Sequence, residues 1–316
     1  MSKDPKRGTK FRWSVTFMAI LPKTEPVKSP SRLISGIDLG WRKVPEGLRV
    51  ATLVDSSNEV QFIVLPDLFL RRLDHVDQLK SKIDCALNEI LSWLKSQMQM
   101  MQSKAPDELR HQFDSLLSAG RAAGKQLVQL TLAWRERYSE FHPEVWRALE
   151  RWRKIDKCLR NEWGNLRDKA LRWRTDFYRN VSKDIGARYG FIVLKRFDLR
   201  GLAVSEKADG SAGPQHIQAR KMRYRAALSD LRRWIELQAI KSGSAVLYHQ
   251  GSSTVTCHAC GCVNKPKRAD RMILDLSCEN CGMIWDQDKN AAINLRDSIK
   301  EIGISATSIF NPNVET

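Results

Sequence analysis

The sequence predicts an α/β protein: a mixed sheet interrupted by a long helical insertion, with a four-cysteine zinc ribbon near its end. Three observations carry that prediction. Short β-branched runs bounded by Gly, Pro, Asn and Ser lie on both sides of the insertion. Two long stretches repeat apolar residues at spacings of three, four or seven. Five of the seven cysteines fall within 25 residues, including two Cys-x2-Cys pairs separated by 17 residues.

In chain order, "RLISGIDLG" (32–40), "LRVATLVD" (48–55) and "EVQFIVLP" (59–66) read as three sequential strands joined by tight turns. A helix follows, marked by Val76, Ile83, Leu87, Ile90, Leu94, Met98 and Met101. "SAGRAAGKQ" (118–126) suggests a shorter helix or a loop. A second helix of about ten turns keeps the same rhythm through Val145, Leu149, Trp152, Leu159, Trp163, Leu166, Ala170, Trp173, Phe177 and Val181, and the two long helices are expected to pair. Cys85 and Cys158, alone in these patterns, read as ordinary buried side chains. The chain then offers a fourth strand, "GFIVLKRF" (190–197), one amphipathic helix through 221–243, a fifth strand, "SAVLYHQ" (244–250), the cysteine module, and a closing helix from about Asp288. Three strands, a helical insertion, strand, helix, strand and helix is the order of an RNase H-like fold.

A formal charge of +17 over 316 residues points to a polyanionic partner, because nucleic acid neutralises a surplus of Lys and Arg that otherwise repels itself. No run of about 18 apolar residues is present, and the N-terminus lacks the apolar stretch of a signal peptide. The expected setting is the cytosol, with no membrane partner, since no amphipathic anchor accompanies the charge. Between Arg147 and Lys183 there are twelve basic residues and five acids. Arg147, Arg151, Arg153, Lys154, Arg160, Arg167, Arg172 and Arg174 are therefore candidate phosphate contacts. Trp152, Trp163 and Trp173 interleave with them and would suit base stacking, but they fall on the apolar period, which favours a buried stripe.

Cys257, Cys260, Cys278 and Cys281 have the spacing of a tetrahedral zinc site, with Gly261 and Gly282 closing each knuckle. Disulfide pairing is the alternative, disfavoured in a reducing compartment. Cys262 and His258 exceed the four-ligand count and are expected to be bystanders. A four-thiolate site has no open position for chemistry, so its role would be structural.

An RNase H-like fold takes its metal-binding carboxylates from the first strand, the fourth strand and the last helix. Asp38 in "GIDLG", flanked by small glycines that would let substrate backbone approach, and Asp286 and Asp288 in "WDQDKNAAINL" stand at the first and last of these places. Taken alone these are weak signals, since an Asp at a helix start is more often a cap.

"STVTCHACG" followed by "CENCGMIWDQDKNAAINL" resembles the zinc ribbon and third RuvC motif of the TnpB nucleases and their descendants, the type V CRISPR effectors, while "GIDLG" resembles their first RuvC motif. The stretch from His142 to Asn180 looks most like the compact type V-M branch. The likeness runs from about Arg12 onward. It implies that Asp38 and Asp288 are metal ligands, that Asp286 and Asn290 support the last motif, and that the four cysteines bind Zn2+. It also implies a guide RNA and a target DNA as partners. The corresponding layout is a basic segment with a remnant wedge strand (1–31), RuvC-like parts at 32–66, 187–250 and 286–316, the helical insertion at 67–186 and the ribbon at 251–285.

Two departures qualify the likeness. At the fourth strand such proteins read something like V-x-E-D-L, and alignment of "IVLKRFDLRGLA" places Lys195 where the catalytic Glu belongs. Two-metal cleavage needs acids to hold two divalent ions about 4 Å apart. A cation there costs several kcal/mol of metal binding, at about 4 kcal/mol per unit-charge pair at 4 Å and an effective dielectric near 20, which leaves Mg2+ weakly bound or absent. Asp198, three residues on, is the nearby acid able to substitute if the chain turns there. The second departure is length: only 35 residues precede "GIDLG", so the wedge and recognition modules of such effectors are expected from a separate protein or from a homo-oligomer, unless they have been lost. The favoured reading is a nuclease-deficient subunit of an RNA-guided DNA-binding complex used in silencing. The alternatives are an active metal-dependent endonuclease or guide-processing nuclease, and a guide-independent DNA-binding regulator.

Overall fold

Val50, Thr52 and Val54 on one face and Ala51 and Leu53 on the other make the strand Gly47–Asp55 (β2) almost wholly buried. It is the middle of an antiparallel meander between Ile34–Val44 (β1) and Val60–Pro66 (β3). The computed structural model of the chain describes residues 31–101, 104–196, 217–251, 253–264 and 275–300. Phe191–Lys195 (β4) lies parallel to β1, and Ala245–His249 (β5) lies parallel to β4, giving the order β3-β2-β1-β4-β5. This is the mixed sheet of an RNase H-like fold with its five expected strands; the remnant wedge strand expected before it lies in residues 1–30, outside the described residues.

Two irregularities shape its open end. Leu39 pairs with Ala51 but Arg42 pairs with Arg49, so β1 carries an extra residue. Likewise Arg49 pairs with Val64 while Ala51 pairs with Ile63, which gives β2 its own extra residue against β3. Such bulges break the strict alternation of side chains between faces.

The described residues divide into a helical unit, Arg71–Leu171, and a sheet unit comprising 31–70 and the described residues from Arg172 onward. The long helices Asp67–Met101 (α1) and Pro143–Arg188 (α4) match the periodic stretches. Between them lie two helices, Asp107–Ser118 (α2) and Ala123–Arg137 (α3), where the sequence suggested a short helix or loop around 118–126. Phe113, Leu116, Leu127, Leu130 and Trp134 supply the buried stripe that drives both, and they share one core with Leu94 and Met98 of α1 and Val145, Leu149 and Trp152 of α4. Cys85 and Cys158 are exposed, contrary to expectation, because both fall on the polar faces of their helices.

The helix expected through 221–243 is two helices, Ile217–Ala226 (α5) and Leu228–Ser242 (α6). Ala227 breaks them with a left-handed conformation at φ 42°. The carbonyls released at the end of α5 are caught from α4: Arg174 Nη1 donates to Tyr224 O at 3.1 Å and Arg225 O at 3.0 Å, and the Tyr178 hydroxyl donates to Ala226 O. The final helix, Gln287–Asp297 (α7), lays Ala292 and Ile293 on Val54, and Leu295 on Val193.

Candidate functional site

The acidic pocket is assembled by the sheet and α7. In the parallel β1–β4 ladder Ile37 forms the last pair, with Leu194, so the next residues, Asp38 and Lys195, stand side by side where β4 ends and β1 runs on toward Val44. Helix α7 runs back along β1, with Asp288 near Asp38 and the Ala292 carbonyl against Gly36. Gly36 thus makes room for the chain's own helix, and the expectation that it admits substrate backbone is corrected: a Cβ there would sit 2.1 Å from Ala292 O. Burial, then the charge of Asp288, pushes the Asp38 carboxyl up to about 7, while Lys195 and Arg42 pull it down. Burial also raises Asp288, against the pull of Arg42 and Arg49.

Two arginines that the sequence reading passed over complete the pocket. Arg42 Nη2 donates to Asp288 Oδ1 at 3.0 Å. Arg49 Nη1 bridges Asp286 Oδ2 and Asp288 Oδ2, at 3.3 Å from each. The Phe62 ring covers the Arg49 guanidinium, 4.0 Å from its centroid. Asp286 also caps α7, accepting from Asp288 N and Lys289 N at 2.9 Å. Three carboxylates therefore face three cations. Both Asp288 oxygens and both Asp286 oxygens are already engaged by N–H donors, and Lys195 and Arg42 add positive charge near Asp38, so these residues as arranged do not fit a two-metal site. Asp198 lies outside the described residues.

The four cysteine sulfurs lie within 4.8 Å of one another. Cys257 and Cys281 are 3.7 Å apart, and Cys260 and Cys278 are 3.6 Å apart. A tetrahedral ion with 2.3 Å metal–sulfur bonds sets its sulfurs about 3.8 Å apart, whereas a disulfide needs about 2.05 Å. The cluster therefore fits a metal ion and not disulfide pairs. The two knuckles share one build: Gly261 and Gly282, at φ 73° and 70°, donate to Cys257 O and Cys278 O. Backbone N–H donors, that of Cys281 first, lower the Cys278 thiol to about 6. Cys281 keeps the Met283 N–H but is pushed up to about 12 by desolvation and the surrounding sulfurs. A cation at their centre removes that conflict.

Asn290, on α7, is fully buried and turned into this module. Its Nδ2 donates to the carbonyls of Ser253, Thr254 and Thr256 at 3.3, 3.4 and 2.8 Å, and its Oδ1 accepts from His258 N at 2.9 Å. Its support of the last motif thus runs through the ribbon and not through the carboxylates. His258 has a structural job as well, with its Nδ1 2.9 Å from Asn290 Oδ1 and its ring edge-on to Trp285. Asn294 adds bonds to Ser253 O and Thr256 O at 2.8 and 2.7 Å.

Residues 229–295, from α6 through the ribbon into α7, match the Cas12f1-like TNB domain. Over 292 residues the chain is 36% identical to the CRISPR-associated DNA-binding protein Cas12m of Pelobacter propionicus, covering 91% of this chain and 43% of that protein. This chain is a relative of the compact type V CRISPR effectors of the TnpB-like kind. It is also 34% identical to the Cas12m of Thermanaerosceptrum fracticalcis over 92% of its own length and 48% of the relative. The chain spans about half the length of these type V relatives. A solved Cas12f1–sgRNA–target DNA complex aligns with a TM-score of 0.40 at 14% identity, over 84% of this chain and 50% of that one, a likeness too loose to carry an argument. No helix among the described residues is long and apolar enough to cross a membrane.

The basic residues nominated on α4 of this type V relative fare unequally. Arg174 is corrected from phosphate contact to structural residue: it is 7% exposed and spends its donors on the end of α5 and on Asp230. Arg153 is bonded to Glu150 at 2.6 and 2.7 Å, and Arg160 to Asp156 at 2.6 Å. Lys154 and Arg167 lie near Glu150 and Asp168, at 4.0 and 3.9 Å. Arg147, Arg151 and Arg172 are exposed. Trp152 is buried in the helical core, and Trp173 stacks on Phe69 and Phe177, both at 5.4 Å, as the apolar period predicts. Trp163 is half-buried, with Arg167 over its ring at 5.8 Å.

Proposed function

We propose that this chain is a nuclease-deficient RuvC-like subunit of an RNA-guided DNA-binding complex, holding its target without cutting it. The observation that carries the reading is Lys195, in register beside Asp38, where two-metal nucleases of this fold need an acid. Support comes from the relatives, which are named CRISPR-associated DNA-binding proteins, and from the charge of +17. The guide supplies sequence choice by base pairing, and the basic surface holds backbone shape. The four cysteines hold Zn2+ as a structural ion that folds the ribbon and takes no part in chemistry.

A second reading, metal-dependent cleavage, draws on the convergence of Asp38, Asp286 and Asp288 in one pocket. One experiment separates the two. The chain, purified untagged from its native host, is expected to carry an RNA of defined sequence, to shift matching duplex DNA in a gel, and to leave plasmid intact in millimolar Mg2+. Nicking that disappears on Asp38→Ala would establish the second reading, and a preparation free of RNA that still binds DNA would remove the guide. The same purification reports whether a second protein accompanies the chain.

A further inference from the structure

The acidic pocket has a property that nucleic-acid binding does not explain. Active nucleases of this fold leave their carboxylate oxygens free to surround divalent ions. Here one guanidinium bridges two carboxylates as an ion would: Arg49 Nη1 stands 3.3 Å from both Asp286 and Asp288. A second, Arg42, takes the remaining oxygen of Asp288 at 3.0 Å and is also bonded to Gln287 Oε1 at 3.4 Å. Arg49 is held by the Phe62 ring, and side-chain exposure of Arg42, Arg49, Asp286 and Asp288 runs from 13% to 24%. The pairs are thus well shielded from water and salt. The bulges in β1 and β2 fall at these two arginines.

The same helix is tied on another side. One turn after Asp286, Asn290 and then Asn294 bind the carbonyls of 253, 254 and 256 at the first cysteine knuckle. The amino end of α7 therefore joins the hairpin arginines to the metal-binding module. We propose that Arg42 and Arg49 are built-in counter-ions occupying the place of divalent cations, and that they turn the α7 carboxylates into a latch fixing the ribbon-bearing helix against the sheet. This goes beyond the DNA-binding reading and needs no nucleic acid to test.

The test compares three full-length chains, each with its cysteine site loaded, using Mn2+ alone as the probe: wild type, Lys195→Glu, and the triple variant Arg42→Gln, Arg49→Gln, Lys195→Glu. Mn2+ binding is followed by electron paramagnetic resonance and by Tm. Restoring the fourth-strand acid alone is expected to leave Tm independent of Mn2+, because the arginines still hold the seats. The triple variant is expected to melt lower without metal, to recover when Mn2+ is added, and to bind Mn2+ at least about tenfold more tightly than Lys195→Glu. Hydrogen exchange over 253–264 and 287–297 should rise in the metal-free triple variant and fall again with Mn2+. Equal Mn2+ affinity in Lys195→Glu and the triple variant overturns the proposal, as does Mn2+ binding in the wild type. If the triple variant does not fold, Arg49→Gln with Lys195→Glu replaces it under the same criteria. A failure here leaves the DNA-binding reading standing, and intact latch behaviour in a chain that binds no DNA leaves the latch standing.

Discussion

Replacing Gly36 with alanine will lower the Tm of the sheet unit by about 10 °C, reflecting a loss of about 3 kcal/mol or more. The reason is geometric. An ideal Cβ at this position meets Ala292 O at 2.1 Å, Arg296 N at 2.4 Å and Arg296 Cα at 2.9 Å. All three are backbone atoms of α7, so no rotamer change can relieve the clash and the helix must lift from β1. Lifting it strips Ala292 and Ile293 from Val54 and pulls Asp288 away from Arg42. Gly40, the other glycine of the same motif, is the control: a Cβ there meets nothing within 4 Å. Gly40→Ala should stay within about 1 kcal/mol of wild type. Equal melting of the two variants in a calorimeter would show that α7 does not lie on Gly36.

The second large effect is expected from Asn290→Asp, a change of one atom. The Nδ2 that serves three carbonyls would become an oxygen facing Ser253 O, Thr254 O and Thr256 O, in a side chain with no exposed surface. Either the carboxylate ionises beside three acceptors, or it takes up a proton and still satisfies one carbonyl in place of three. A cost of about 3 to 5 kcal/mol is expected from the unpaired buried groups. The knuckle that begins at Cys257 hangs from these bonds, so the variant should also surrender its metal to a chelator faster than wild type. Unchanged stability and unchanged metal loss would contradict the hydrogen-bond assignment.

Some of this was legible in the sequence because the signals are local. The β-branched runs named every strand of the sheet, and the two Cys-x2-Cys pairs named the four sulfurs that cluster and could hold a metal ion, since thiolate spacing is set by the turn that joins them. The lysine at 195 was visible by alignment alone, and its place beside Asp38 follows from the parallel register. Other features depend on tertiary context. Ala227 gives no warning of a helix break, because the left-handed turn is stabilised by Arg174 and Tyr178 from α4, about 50 residues earlier. The same event removed Arg174 from the phosphate contacts. Arg42 and Arg49 escaped notice because bulges break the two-residue alternation by which strand faces are read. Their only sequence trace is an arginine on each side of the first hairpin, with partners some 240 residues away. The motif around Asn290 pointed to the right helix but not to its direction, since the neighbours Asp288 and Asn290 serve different sides of α7.

An anomalous difference map from crystals soaked in Mn2+, recorded near the manganese edge, tests most directly whether cations of the chain itself have replaced the metals. The predicted result is no peak among Asp38, Asp286 and Asp288, with Arg42 and Arg49 still bonded to the α7 carboxylates. Two manganese peaks about 4 Å apart between Asp38 and Asp288, with the arginines swung away, would contradict it.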